Sequence, residues 1–332
     1  MLQNINIKNW HLENGKTIAN ITIFYQTFGQ TLGTSPVVLV NHALTGNSNV
    51  IGETGWWNDI IGLNKTIDTD FFTILAINIP GNGFDGNPEN LIENYKDFTI
   101  RDIATIYWKT VFELNIQELF SVIGGSLGGA IAWEMAVLQP NKIQNLIPIA
   151  TDWKATDWMI ANVLLQDSIL NNSKNPIDDA RIHAMLLYRT PQSINQRFNR
   201  KQTKNLTFEI ENWLIYHGET LKNRFTLSAY KLMNHLLKTN DITRNRSYFE
   251  TVLESIQSNI HIVSVDSDLF FTQDEDFKTY KILKKSKQNV FHHEIKSVHG
   301  HDAFLIEFEQ LNVILNPIFN KTKTLNHVKN QN

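Results

Sequence analysis

Hydrophobic positions along the chain follow two regimes. Over residues 19–28 (ANITIFYQTF) apolar and polar side chains alternate, which sets Ile21, Ile23 and Tyr25 on one face of an early β-strand. Later segments are short continuous apolar runs instead: 36–40 (PVVLV), 71–79 (FFTILAINI), 119–123 (LFSVI), 146–150 (LIPIA) and 261–265 (HIVSV), with a further strand over 289–295. Runs of this kind suit strands covered on both faces, as in a parallel sheet. The run at 119–123 passes through glycines into a helix-like stretch, 130–138. Strands alternating with helical stretches predict an α/β fold, a mostly parallel sheet with helices on both faces. Residues 153–250 break this rhythm. They show helical periodicity at 158–165, 180–188, 208–216 and 227–237, and no buried strand. The predicted organisation is a core formed by 1–152 and 251–332, interrupted by a helical lid over 153–250.

Composition narrows the function more than the fold. The 332 residues are 42% hydrophobic, ample for a large core. Thirty basic residues against 33 acidic ones leave a net charge of −3, with no excess to condense on nucleic acid or an anionic membrane. No cysteine is present, which removes thiolate metal sites and cysteine nucleophiles together. The N-terminal stretch lacks a continuous apolar segment of the kind a secretory signal carries, and no apolar run nears the ~20 residues of a membrane span. A cytoplasmic enzyme acting on small molecules is the expectation. The polar C-terminal KTKTLNHVKNQN is expected to fray.

The candidate chemistry centres on Gly124-Gly-Ser-Leu-Gly-Gly129, which satisfies G-x-S-x-G between a strand and a helix. In that turn a serine takes strained backbone angles and lifts its hydroxyl above the sheet, beside the positive end of the helix. Ser126 is thus the expected nucleophile. A serine needs a base held by an acid, and in this type of site the order is serine, acid, histidine. Asp266 and Asp268 follow the run at 261–265; His299 and His301 follow the strand at 289–295. Spacing alone leaves both pairs open. Oxyanion donors are expected from the amide of Leu127 and from the loop after 36–40, Asn41-His-Ala-Leu-Thr-Gly-Asn47.

Two decoys are set aside. Gly81-Asn-Gly-Phe-Asp-Gly86 has the G-x-G-x-x-G spacing of a dinucleotide loop, but Asn87-Pro88 follows where a helix should open, so a turn is expected. His292 and His293 sit side by side on a strand and point to opposite faces, which argues against a shared metal; no metal is expected.

Taken together, the motifs resemble the acetyl-CoA-dependent homoserine O-acetyltransferases of the α/β-hydrolase fold. The matching stretches include His42-Ala-Leu-Thr-Gly46, Gly55-Trp-Trp57, Gly124–Gly129, Ser267-Asp-Leu-Phe270 and Gly300-His-Asp-Ala-Phe-Leu305, and they run from about residue 15 to 315. The resemblance implies a catalytic triad of Ser126, Asp268 and His301 and oxyanion donation by the Leu44 and Leu127 amides. It also implies a substrate site of Arg181 and Tyr188 on the carboxylate, Asp302 on the amino or hydroxyl end, and Thr45 nearby. The implied reaction moves acetyl from acetyl-CoA, a co-substrate rather than a bound cofactor, to L-homoserine in methionine biosynthesis, by double displacement through acyl-Ser126. A homodimer through the lid is likewise implied. The chain departs from the family pattern at Gly81–Gly86 and at His217 and Asn234, where Gln and Asp are commoner. An esterase or thioesterase with the same triad, another hydroxy amino acid as acceptor, and succinyl-CoA as donor are the competing expectations.

Overall fold

The computed structural model describes residues 1–329. Its strands are β1 (Gln3–His11), β2 (Thr17–Gly29), β3 (Val37–Asn41), β4 (Ile61–Gly62), β5 (Ile67–Asp68), β6 (Thr73–Ile77), β7 (Leu119–Gly125), β8 (Ile143–Ile149), β9 (Asn259–Val265) and β10 (Val290–Ile295). Eight of them form one sheet in the order β1-β2-β6-β3-β7-β8-β9-β10, while β4 and β5 pair separately. β1 with β2 and β2 with β6 are antiparallel; every later pairing is parallel. This is the α/β-hydrolase arrangement, in which the strands from β6 to β10 end at one common edge.

The apolar runs are buried for the reason their pattern suggests. In β3, Val37 and Leu39 enter one core while Val38 and Val40 enter the other, and β6 divides Leu75 and Ile77 from Ile74 and Ala76 in the same way. One face is covered by α1 (Ile100–Glu113) and α2 (Leu127–Leu138). Helix α1 starts at a capping box, in which Thr99 and Asp102 each bond the other's backbone N–H. Helix α2 is apolar on nearly all sides and almost wholly buried, as such a helix must be. Its one charge, Glu134, is 2% exposed and meets Arg101 at 2.8 Å and Arg246 at 2.6 Å. The opposite core holds Trp57 and Phe304 together with Leu311, Leu315 and Phe319 from the C-terminal helix.

Between β8 and β9 the chain forms α3 (Asp157–Asn172), α4 (Pro176–Tyr188), α5 (Pro191–Phe198), α6 (Glu209–Lys222), α7 (Leu227–Lys238) and α8 (Phe249–Ser255). Their starts follow local rules: the hydroxyls of Thr156, Thr190 and Thr226 accept N-cap hydrogen bonds, and Pro176 and Pro191 open their helices. Met159, Val163, Leu232 and Leu236 join the same core as Leu39 and Val122 of the sheet. After β9 come α9 (Gln273–Ser286), β10 and α10 (Phe308–Lys329). The C-terminal segment expected to fray instead continues α10 as far as Lys329, and residues 330–332 lie outside the described ones.

Since the helical insertion shares a core with the sheet, it should not melt separately. Leu232→Ala, at a fully buried position, should cost about 2–5 kcal/mol and lower a single transition. Far-ultraviolet circular dichroism and tryptophan fluorescence should then report coincident midpoints. An early, separate transition of the insertion would contradict this.

Candidate active site

Ser126 stands where β7 turns into α2, with φ 55° and ψ −124°. A non-glycine residue in that region is strained by about 1–3 kcal/mol and persists only where its surroundings hold it. The surroundings are tight. A Cβ on Gly128 would lie 2.3 Å from the Asn41 carbonyl oxygen, one on Gly125 2.4 Å from the Phe304 ring, and one on Gly129 2.2 Å from Thr151. Only glycine fits these positions. The Ser126 N–H donates to the Ile149 carbonyl at 2.9 Å, tying the turn to β8. The serine is 4% exposed and caps α2, so its hydroxyl lies at the positive end of that helix.

His301 and Asp268 meet across the same sheet edge. The His301 Nδ1–H donates to Asp268 Oδ2 at 2.6 Å, and the other Asp268 oxygen accepts the N–H groups of Phe270 (2.7 Å) and Phe271 (2.9 Å). Three hydrogen bonds fix the position of the buried carboxylate, and its contact with Nδ1 sets the imidazole tautomer, leaving Nε2 as the lone-pair side. The His301 ring lies among Phe270, Phe271, Phe304 and Tyr188 at centroid distances of 5.3–5.7 Å. Phe304 also abuts Gly125, which brings His301 beside the serine turn. The alternatives left open by spacing are engaged elsewhere. Asp266 Oδ1 accepts the Ser297 N–H at 2.9 Å, and His299 Nδ1 lies 2.9 Å from Ser193 Oγ and 3.0 Å from Arg189 Nη1.

The loop after β3 packs against the start of α2. Asn41 Nδ2 donates to the Gly128 carbonyl at 3.1 Å, and the Gly46 N–H closes a turn onto Ala43 at 2.9 Å. His42 is buried, with Nδ1 2.8 Å from the Ala43 carbonyl and Nε2 accepting the Ile79 N–H at 3.0 Å. Burial pushes its pKa down to about 4, so it is a neutral structural group. Ser48, Asn78 and Asn82 extend this network, and Leu44 of the same loop is buried.

The helical insertion delivers charge to this edge. The Arg181 guanidinium lies 5.6 Å from the Tyr188 ring, and Tyr188 lies against His301. Burial raises the Tyr188 hydroxyl to about 12, so it stays a neutral phenol. Asp302 is ion-paired with Arg189 at 3.1 Å; burial raises its pKa, while Arg181, Arg189 and His301 oppose the rise. Arg224 Nη1 donates to the Thr45 carbonyl at 2.8 Å, tying the insertion to the loop after β3. A small cavity of about 10 Å³ lies among Leu44, Asn162, Gln166, Tyr188, Tyr230 and Phe270. The structure thus gathers Leu44, Arg181, Tyr188 and Asp302 around His301, with Thr45 in the adjoining loop.

The chain is similar to known proteins in sequence and in fold. A family model described as the alpha/beta hydrolase fold matches residues 36–219. The homoserine O-acetyltransferase of Cyclobacterium marinum is 32% identical, over 93% of this chain and 92% of that protein, and the one from Methanococcus vannielii is 32% identical over 92% of this chain and 69% of the relative. The chain belongs to the homoserine O-acetyltransferase family. Among solved structures, the homoserine O-acetyltransferase of Bacillus anthracis superimposes with a TM-score of 0.87 at 20% identity, covering 96% of this chain and 97% of that one. Esterase E22 shares the fold equally widely, with a TM-score of 0.84 at 17% identity over 96% of this chain and 100% of that chain.

In this homoserine O-acetyltransferase relative, the two decoy stretches have other surroundings. Gly81, Gly83 and Gly86 all have positive φ in a turn that no α-helix follows directly. His292 bonds Ser264 and His293 meets His261, on opposite faces of β10. Sequence reasoning missed a buried acid pair behind the Asp268 loop, and no motif marks it. Asp152 Oδ1 accepts from the Trp153 N–H (2.8 Å) and Thr279 Oγ1 (2.9 Å), while its Oδ2 and that of Asp276 have no hydrogen-bond partner among the described residues. Burial raises Asp152 to about 6, and burial followed by repulsion from Asp152 raises Asp276. An acid whose folded pKa exceeds its unfolded value of about 3.9 stabilises the fold at low pH, and that contribution is lost as pH rises through the folded value. Asp152→Asn should therefore raise the melting temperature relative to wild type more at pH 8 than at pH 4.5. Parallel pH profiles for the two proteins would contradict the assignment.

Proposed function

We propose that this protein transfers the acetyl group of acetyl-CoA to the γ-hydroxyl of L-homoserine by double displacement through Ser126. The observation that carries the proposal is the 32% identity over 93% of the chain with a homoserine O-acetyltransferase, and the buried Asp268–His301 pair beside the Ser126 turn supports its chemistry. His301 Nε2 takes the Ser126 proton as Oγ attacks the thioester carbonyl. The amides of Leu127 and Leu44 stabilise the oxyanion, at about 3–4 kcal/mol for a donor of this kind. The C–S bond breaks, the proton passes from His301 to the departing thiol, and acetyl-Ser126 remains. Homoserine then gives its hydroxyl proton to His301 and attacks the ester, and Ser126 recovers the proton as O-acetylhomoserine leaves.

In this proposal Arg181 and Tyr188 hold the homoserine carboxylate, Asp302 holds its ammonium and Thr45 lines the entrance. Helices α3–α7 act as the lid that favours a bound alcohol over water. The fold shared with esterase E22 favours water as the competing acceptor, so the reactions must be separated by product. With acetyl-CoA, thiol release should depend on homoserine and yield O-acetylhomoserine by mass. Release at full rate without homoserine would make the protein a hydrolase, and preferential turnover of succinyl-CoA would change the donor. Arg181→Met should raise the KM for homoserine about tenfold or more, by loss of a charge-assisted carboxylate contact, with a smaller change in kcat.

A cytoplasmic homodimer through the lid belongs to the same proposal. Exposed Trp158, Leu164, Leu165 and Leu186 on α3 and α4 supply an apolar surface for it. Light scattering should give twice the chain mass, and Leu164→Glu should halve it.

A further inference from the structure

The Val298-His-Gly-His301-Asp302 stretch holds two histidines, and only one of them meets Asp268. We infer that the other, His299, together with Ser193 holds Arg189 as the positioning residue for Asp302, and that this assembly sets the preference of the site for acceptors bearing an ammonium group. The inference rests on the proposed role of Asp302 as the contact for the acceptor's amino end.

Arg189 follows Tyr188 at the end of α4 and is 15% exposed. Its Nη1 lies 3.0 Å from His299 Nδ1. A guanidinium can only donate, so Nδ1 carries the lone pair and the imidazole proton sits on Nε2. Ser193 Oγ, 2.9 Å from the same Nδ1, donates to it as well. The strip carrying these groups is fastened to the end of α4 independently. Thr190 Oγ1 donates to the Val298 carbonyl at 2.5 Å and accepts the Ser193 N–H at 3.0 Å. Gly300 has φ +68°, and a Cβ there would lie 2.9 Å from the Tyr188 carbonyl.

Arg189 Nε is thereby set 3.1 Å from Asp302 Oδ2. Burial raises the pKa of this acid, so if left unpaired it would take up a proton more readily and lose attraction for an ammonium group. Arg181 and His301 also favour the charged form, and Asp268 opposes it. Arg181, over the Tyr188 ring, is the larger influence on the Asp302 charge, while Arg189 is the cation in ion-pair contact with the carboxylate. Arg189 thus keeps Asp302 ionised and aimed without itself touching the acceptor.

The test compares kcat/KM for L-homoserine with that for 4-hydroxybutanoate, which keeps the hydroxyl and carboxylate and lacks the amino group, at fixed acetyl-CoA. The ratio of the two cancels any loss of folded enzyme within a variant. Asp302→Asn and Arg189→Met should each lower the ratio about tenfold or more, His299→Gln should lower it about threefold or more, and Arg189→Lys should keep it within about threefold of wild type. An unchanged ratio in Arg189→Met beside a collapsed ratio in Asp302→Asn would overturn the inference and leave the role of Asp302 standing. An unchanged ratio in Asp302→Asn would overturn that role and the inference with it.

Discussion

The backbone at Ser126, held at φ 55° between a buried strand and a buried helix, is the constraint on which the rest of the site depends. It is a costly conformation, and nothing local to a serine favours it. It is imposed from four sides: β8 takes the serine N–H, Asn41 closes on Gly128, Phe304 closes on Gly125, and Thr151 closes on Gly129. Those contacts come from three separate parts of the chain: Asn41 at the end of β3, Ile149 and Thr151 at the end of β8, and Phe304 near the C-terminus. The conformation therefore exists only once the sheet order is complete, and it falls at the carboxyl edge where such sites assemble.

The same packing couples the serine to its partners. Phe304 touches both the serine turn and His301, so the residue that forbids a side chain at Gly125 also walls the imidazole. Asp268 accepts from three donors in a setting that water barely reaches, which strengthens each bond. Around this apolar shell the helical insertion adds cations. Burial, and after it the charge of Arg181, lowers the pKa of Arg224, and burial together with Arg181, Arg189 and Arg197 pushes His217 down to about 4. An edge rich in guanidinium groups suits a carboxylate-bearing acceptor and an anionic acyl donor. The insertion shares its core with the sheet, so these charges are carried on a rigid frame.

Much of this was legible in the chain because parallel strands buried on both faces must be apolar throughout. The runs at 36–40, 71–79, 119–123, 146–150 and 261–265 became β3, β6, β7, β8 and β9 for that reason. The elbow was legible because strand, glycines and apolar helix coincide around Ser126. The short helices α5 and α8 were not, since seven or eight residues are too few for a period to emerge. Choosing between Asp266 and Asp268, or between His299 and His301, was beyond spacing alone. Each pair lies within two residues on a loop, and the choice depends on how that loop turns at Gly300 and at the Phe270 and Phe271 amides. The second use of His299 and the buried Asp152–Asp276 pair left no trace in sequence, because their partners come from distant elements.

The central claim is that Ser126 carries the acetyl group between donor and acceptor. Rapid-quench intact-mass measurement with acetyl-CoA and no acceptor addresses it directly, followed by peptide mapping. One added acetyl group is expected, located on the peptide containing Ser126, absent from Ser126→Ala, and discharged as O-acetylhomoserine when homoserine is added. Transfer to homoserine by a Ser126→Ala protein, or an acetyl group mapped to another residue, would contradict it.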